Sequence, residues 1–143
     1  MKTIQTRFGE IEYDPSNLIH FPEGLIGLDQ LKHFLVMPNK NDGPLFWIQS
    51  IDDPAFAFVV TDPTHFFIDY LVAPDDNERE KLGIDENGAY FVLAIVSISP
   101  EKEITLNLSG PILYAPETNK GMQVILEDAR YNTQTPLPVI EKK

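Results

Sequence analysis

Ala89-Tyr90-Phe91-Val92-Leu93-Ala94-Ile95-Val96-Ser97-Ile98 is apolar at nearly every position. A strand reads this way when both faces of its sheet are covered, so this stretch is expected to lie at the centre of a sheet. The neighbouring segment Glu103–Leu108 instead alternates, with Ile104, Leu106 and Leu108 on one face, as a strand buried on one side does. Working outward toward the N-terminus, Ile4, Thr6 and Phe8 alternate, Gly9 breaks the phase, and Ile11 and Tyr13 resume it. That pattern predicts two short strands around a tight turn or bulge. Leu18–Phe21, Phe34–Met37, Leu45–Ile51, Ala55–Thr61, Ile112–Tyr114 and Met122–Leu126 complete the predicted strands.

Turn chemistry separates these runs at Pro22-Glu23-Gly24, Asn41-Asp42-Gly43-Pro44, Asp52-Asp53-Pro54, Asp85-Glu86-Asn87-Gly88 and Thr118-Asn119-Lys120-Gly121. One helix is predicted over Asp75–Leu82: Pro74-Asp75-Asp76 supplies an acidic start, Glu78 to Lys81 favour helix, and Gly83 stops it. A weaker helical turn is expected from Leu28 to Lys32. With 12 Pro and 8 Gly the chain is interrupted too often for long helices. Ile and Val far outnumber Ala, the composition of strands. Many short strands, no βαβ alternation and no repeat predict an all-β fold, a small antiparallel β-barrel-like domain with one or two short helices. Residues 1–132 are expected to form this single domain. Residues 133–143, with Pro136, Pro138 and Glu141-Lys142-Lys143, are expected to be a loosely ordered tail.

The 143 residues are 43% hydrophobic, enough for one packed core. The formal net charge is −11, spread evenly over both halves of the chain. Binding to phosphate backbones depends on Lys and Arg displacing counterions, so direct nucleic-acid binding is not expected of a chain with pI near 4.5 and no basic run. An anionic membrane surface would repel it for the same reason. The absence of Cys excludes disulfides, zinc thiolates and thiol nucleophiles. Met1 to Arg7 holds no signal-like apolar stretch, and the longest apolar runs are far short of the ~20 residues that span a bilayer. These features together predict a soluble cytoplasmic protein.

Catalytic patterns are weak. His20, His33 and His65 show no helical or hairpin pairing, and none lies beside a Ser in a Gly-rich nucleophile turn. His20, inside Leu18-Ile19-His20-Phe21, reads as an ordinary strand residue. Asp52, Asp53, Asp62, Asp69, Asp75 and Asp76 crowd the middle of the chain. A metal- or carboxylate-dependent hydrolase would draw on Asp52, Asp53, Asp62 and Asp69, but Asp before Pro at 53 and 62 is common turn chemistry. Asn39 to Gly43 fails as a calcium loop, because Ser50 stands where a bidentate Glu is required. No metal and no cofactor are expected. Phe66-Phe67 lies in an acidic, turn-prone stretch, where alternation would bury one ring and expose the other as an anchor. Trp47 reads as core.

Several segments occur in an order that resembles the FliW family of bacterial flagellar assembly factors, over about residues 2–137. They are Phe8-Gly9-Glu10-Ile11, Phe21-Pro22-Glu23-Gly24-Leu25-Ile26-Gly27, Trp47-Ile48-Gln49-Ser50 with Asp52-Asp53-Pro54, Ala57-Phe58-Val59-Val60 with Asp62-Pro63, Leu93-Ala94-Ile95-Val96, Asn107-Leu108 with Pro111-Ile112, and Gly121 with Gln123-Val124 and Leu126-Glu127-Asp128. The chain departs from the pattern at Gly110 and Tyr114-Ala115, and Tyr131 to Pro136 lacks the Arg-His pair associated with that stretch.

The resemblance implies a non-enzymatic partner-switching protein with a small antiparallel barrel. It would bind the RNA-binding regulator CsrA, beside its RNA site, and stop it repressing flagellin mRNA; flagellin would compete it away. An acidic protein suits a basic RNA-binding partner, because complementary potentials raise encounter rates. Flagellin, whose terminal segments are amphipathic helices, would need exposed apolar surface. Asp52, Asp53, Phe66, Phe67, Asp69, Asp75 and Asp76 are the expected contacts, since they combine charge and aromatic surface in loops.

Overall fold

A computed structural model describes residues 1–38 and 44–136. The strands are β1 (Lys2–Thr6), β2 (Gly9–Tyr13), β3 (Ile19–His20), β4 (His33–Pro38), β5 (Leu45–Ser50), β6 (Ala57–Thr61), β7 (Phe91–Ile98), β8 (Ile104–Leu106), β9 (Ile112–Ala115), β10 (Lys120–Gln123) and β11 (Thr135–Pro136). One α-helix, α1 (Asp76–Leu82), and single 3-10 turns at Pro15–Asn17 and Pro63–His65 join them.

The main sheet runs β11-β8-β7-β6-β5-β4-β3-β10-β9, and a further pairing of β7 with β9 closes it into a ring. The ring holds seven strands, β3 to β7 with β9 and β10, while β8 and β11 hang from β7. An odd ring cannot alternate direction at every pair. Among the described residues the one parallel pair is β3 with β10, through Lys120 and His20. β7 is central, as its composition predicts, and pairs with three strands: Val60 faces Ile95, Leu93 faces Ile112 and Val96 faces Leu106.

The pleat sends alternate β7 residues to opposite faces. Leu93 and Ile95 point with Ile19, Phe34, Ile48, Val60 and Ile112 into the ring, where the Phe21 to Leu31 connection contributes Phe21, Leu25 and Leu31. Ala94 and Val96 point outward and are covered by Tyr70, with Phe66, Phe67 and Val72, in a second cluster that includes Leu106 and Leu108. Leu82 of α1 seals a third cluster against Leu113, Ala115 and Val124. The segment between β6 and β7 is therefore the lid on the outer face of the barrel. β1 and β2 form a separate hairpin. Its turn lies against the barrel through an edge contact of Phe8 with Trp47, 4.9 Å between centroids, and a hydrogen bond donated by Arg7 to the Ala55 carbonyl. Trp47 is half-buried.

α1 follows the predicted signals. Asp75 is its N-cap, accepting from the Glu78 N–H at 2.7 Å while Glu78 accepts from the Asp75 N–H at 2.9 Å, a reciprocal capping box.

Four local expectations need correction. Leu28 to Lys32 is not a helical turn: Leu25 and Leu28 bond each other across a tight turn, and the Lys32 and His33 N–H groups donate to the Asp52 carboxylate instead. Ile104 is exposed although Leu106 and Leu108 are buried, because the outer cover reaches only the latter two. Pairing from Met122 ends at Gln123, and the Val124 and Leu126 N–H groups bond the Pro111 and Ser109 carbonyls. Phe66 and Phe67 are both half-buried in the second cluster; they follow a 3-10 turn, where strand alternation does not apply. In the tail, Thr135 and Pro136 pair antiparallel with Leu106 and Thr105. The turn at Asn41-Asp42-Gly43 and the rest of the tail, from residue 137, lie outside the described residues.

Candidate partner-binding surface

The carboxylates singled out in the sequence are distributed over the barrel. Asp52 and Asp53 sit in the β5–β6 turn, and Asp62 lies just beyond the other end of β6. The five residues of β6 alone span about 16 Å, so these side chains do not meet in one carboxylate site. The hydrolase reading loses its geometric basis. Among the described residues no group of three or more His, Cys, Asp or Glu is placed to hold a metal ion.

Each of the turn carboxylates has local work. Asp52 Oδ2 accepts from the backbone N–H groups of Lys32 and His33, both at 2.7 Å, and Oδ1 lies 3.1 Å from His33 Nδ1. Burial pushes the Asp52 carboxyl up, but the hydrogen bonds from the Lys32 N–H, the His33 ring and the His33 N–H outweigh it and hold the group below its ordinary value. Asp53 accepts from the Ala55 N–H, its own N–H donates to Ser50 Oγ, and buried Gln49 reaches the Ser50, Pro54 and Phe56 carbonyls through Nε2. The Gln49 to Pro54 motif is thus a self-bonded turn. Asp62 caps the 3-10 turn, accepting from the Thr64 N–H and hydroxyl.

His20 stacks on His33 beside this turn, with nearly parallel rings 5.0 Å apart. Burial, then the charges of His33, Lys120 and Lys32, hold the His20 pKa below 6.5, with Asp52 opposing. A folded state that resists protonation gains stability above the unfolded value of 6.5 and loses it as pH falls through the lowered folded value. The Asp52 contribution is likewise present above 3.8 and is lost only in more acid solution. The urea midpoint is therefore expected to fall between about pH 7 and pH 5, and His20→Gln to remove that part of the slope. An unchanged slope in the variant would place the titration elsewhere.

The remaining predicted residues share one segment, the lid from Asp62 to Leu82. Tyr70 is its anchor: its hydroxyl donates to the Leu108 carbonyl at 2.6 Å, its ring meets Tyr131 edge-on, and burial pushes its pKa up. From Tyr70 the chain alternates, with Tyr70, Val72 and Pro74 inward and Leu71, Ala73 and Asp75 outward. Asp69 is exposed near Arg130, whose guanidinium is held by Asp128 at 2.8 Å. Asp76 is fully exposed and only 3.6 Å from Arg79, a surface pair worth little.

Two residues that the sequence reading did not single out are the most exposed large apolar side chains of this segment, Ile68 at 83% and Leu71 at 87%. A signal for them was present: Phe66-Phe67-Ile68-Asp69-Tyr70-Leu71-Val72 carries more apolar residues than one face of a covering segment can bury. Ile68, Asp69 and Leu71, followed by Asp75 and Asp76, make a mixed apolar and acidic ridge.

A closed ring of strands with an acidic, partly apolar lid laid over its outer face defines a small β-barrel-like protein with no helix long and apolar enough to cross a membrane among the described residues. The sequence profile described as FliW protein matches residues 2–137. The chain belongs to the FliW family of flagellar assembly factors. It is 55% identical over 137 residues to flagellar assembly factor FliW of Syntrophotalea carbinolica, covering 96% of this chain and 98% of that one. It is 53% identical over 142 residues to flagellar assembly factor FliW 2 of Desulfotalea psychrophila, covering 99% and 94%. A crystal structure of a flagellar assembly factor FliW superposes with a TM-score of 0.86 at 29% identity, over 96% of this chain and 98% of that one.

Proposed function

We propose that this flagellar assembly factor acts by binding proteins: it binds and antagonises CsrA, and it binds flagellin, so that rising flagellin withdraws it from CsrA and restores repression of flagellin synthesis. The observation that carries the reading is the ridge, where Ile68 and Leu71 stand exposed beside Asp69, Asp75 and Asp76 on a body of charge −11. Its charge steers a basic RNA-binding partner, and the apolar pair supplies surface that gains by leaving water. No catalytic step is required.

Gel filtration of the purified chain with CsrA of the same organism, with and without excess flagellin, tests the switch. A CsrA complex that flagellin dissolves is expected; co-elution with neither protein would overturn the reading. Charge reversal maps the ridge. Asp69→Lys with Asp76→Lys is expected to slow association with CsrA about tenfold at low salt and to flatten its salt dependence. Asp75→Lys is the wrong probe, since it would also remove the helix cap. Unchanged rates would place the contact away from the lid.

A further inference from the structure

The turn Asp85-Glu86-Asn87-Gly88, which links the end of α1 to β7, holds the only Asn-Gly pair of the chain. The Asn87 N–H donates to Asp85 Oδ1 at 2.9 Å, and the Gly88 N–H closes the turn by donating to the Asp85 carbonyl at 3.0 Å. Asn87 is exposed, and its carboxamide makes no hydrogen bond among the described residues. Other Asn side chains are held: Asn107 accepts from the Gly110 N–H, Asn119 from the Tyr114 hydroxyl and Asn132 from the Gln134 N–H. Packing fixes the second residue of the pair. A Cβ on Gly88 would stand 2.5 Å from Ile84 Cβ and 3.1 Å from Ile84 Cγ2. Ile84 is itself packed with Leu82 and Tyr90 in the third cluster, so the turn accepts glycine and nothing larger.

We propose that Asn87-Gly88 is a site of spontaneous covalent modification, in which the Gly88 amide nitrogen displaces ammonia from the Asn87 side chain and leaves aspartate or isoaspartate. A bond forms between the Gly88 nitrogen and Asn87 Cγ, the Cγ–Nδ2 bond breaks, and ammonia departs, with the Gly88 amide proton passing to it through solvent. Water then opens the cyclic imide. Opening at Cγ gives an aspartate in an ordinary main chain; opening at the main-chain carbonyl routes the chain through Cβ and Cγ as isoaspartate. Water enters, ammonia leaves and no electron is transferred. Every other Asn is followed by a residue whose side chain hinders the attacking nitrogen. The one bond that must open, from the Gly88 N–H to the Asp85 carbonyl, lies in an exposed turn, where local opening costs little. Either product adds a negative charge to a body already at −11. Isoaspartate also lengthens the main chain by one methylene between Ile84 and Tyr90, which pack in one cluster. That pushes Gly88 off Ile84 and loosens the end of α1, so the turn is a slow, one-way clock on the lid. It stands or falls independently of CsrA and flagellin.

The test ages the purified full chain in mildly alkaline buffer and follows its tryptic fragments by mass spectrometry. Asn87 is the only Asn between Leu82 and Lys102, the ends of its fragment, so a mass shift there reports this residue alone. The shift is expected in that fragment before any other that contains Asn, as two products that chromatography separates. The isoaspartate product should accept a methyl group from isoaspartyl methyltransferase. Asn87→Gln, whose longer side chain disfavours ring closure, should show no shift and should melt as the fresh protein does. The isoaspartate form should melt lower and lose amide protection first from Asp76 to Ile84, whereas Asn87→Asp, with the same charge and an ordinary main chain, should not. No conversion in the folded chain, or aspartate without isoaspartate, would overturn the proposed reaction. An isoaspartate form that melts and exchanges like the fresh chain would overturn the clock on the lid.

Discussion

Gly24→Ala is expected to destabilise the protein by about 3 kcal/mol or more and to lower its melting temperature by on the order of 10 °C. Gly24 has φ +70, and a Cβ there would lie 2.5 to 2.6 Å from the Asp29 Cα, C and O atoms. The obstacle is backbone, which cannot rotate aside as a side chain can. Left-handed backbone by itself costs alanine about 1–2 kcal/mol. The rest of the cost comes from spreading the turn that feeds Phe21, Leu25 and Leu31 into the ring, all three at most 2% exposed. Gly27 is the internal control: its φ is +82, yet a Cβ there meets nothing within 4 Å, so Gly27→Ala should cost only the conformational term, about 1 kcal/mol. Urea denaturation of the two variants reads the difference. Equal losses would mean that the close approach to Asp29 is absent in solution.

Tyr70→Ala should cost about 4 kcal/mol, because it removes a fully packed aromatic ring from the cluster that fastens the lid to the outer face of β7 and β8. Tyr70→Phe keeps the ring and deletes only the bond to the Leu108 carbonyl, leaving a buried acceptor unpaired at a cost of about 1–2 kcal/mol. Hydrogen exchange adds a second reading. In Tyr70→Phe, amides from Phe66 to Leu82 should lose protection before those of β5 and β6, since the lid opens locally while the ring stays shut. Uniform loss of protection would instead show that lid and ring unfold as one unit. The two variants also separate packing from polarity at the residue that positions Ile68 and Leu71.

Much of this architecture was legible in one dimension. Alternation around Gly9 marks the β1–β2 hairpin, the all-apolar run from Ala89 marks the central strand, and Pro74-Asp75 with Gly83 brackets α1. These signals depend on neighbours a few residues apart, so the sequence contains them directly. The colinear motifs carried the family as well, since Gln49, Ser50 and Asp53 bond one another within a single turn. Leu28 to Lys32 shows the limit of such reading. Its last N–H, from Lys32, and the next one, from His33, are claimed by Asp52, a partner some twenty residues away that no local propensity reveals.

Amino-acid order by itself determined most of the strands, the helix, the acidic body and the family. Tertiary structure alone decided where the ring closes: an odd number of strands forces one parallel pair, and only long-range pairing places it at His20 and Lys120. It also decided which apolar residues stay outside. Phe66 and Ile68 look equivalent in sequence, and so do Phe34 and Phe46, but one of each pair is covered and the other is exposed. Burial is set by what folds over a residue from elsewhere in the chain, and the surfaces open to a partner are those that nothing in this chain folds over.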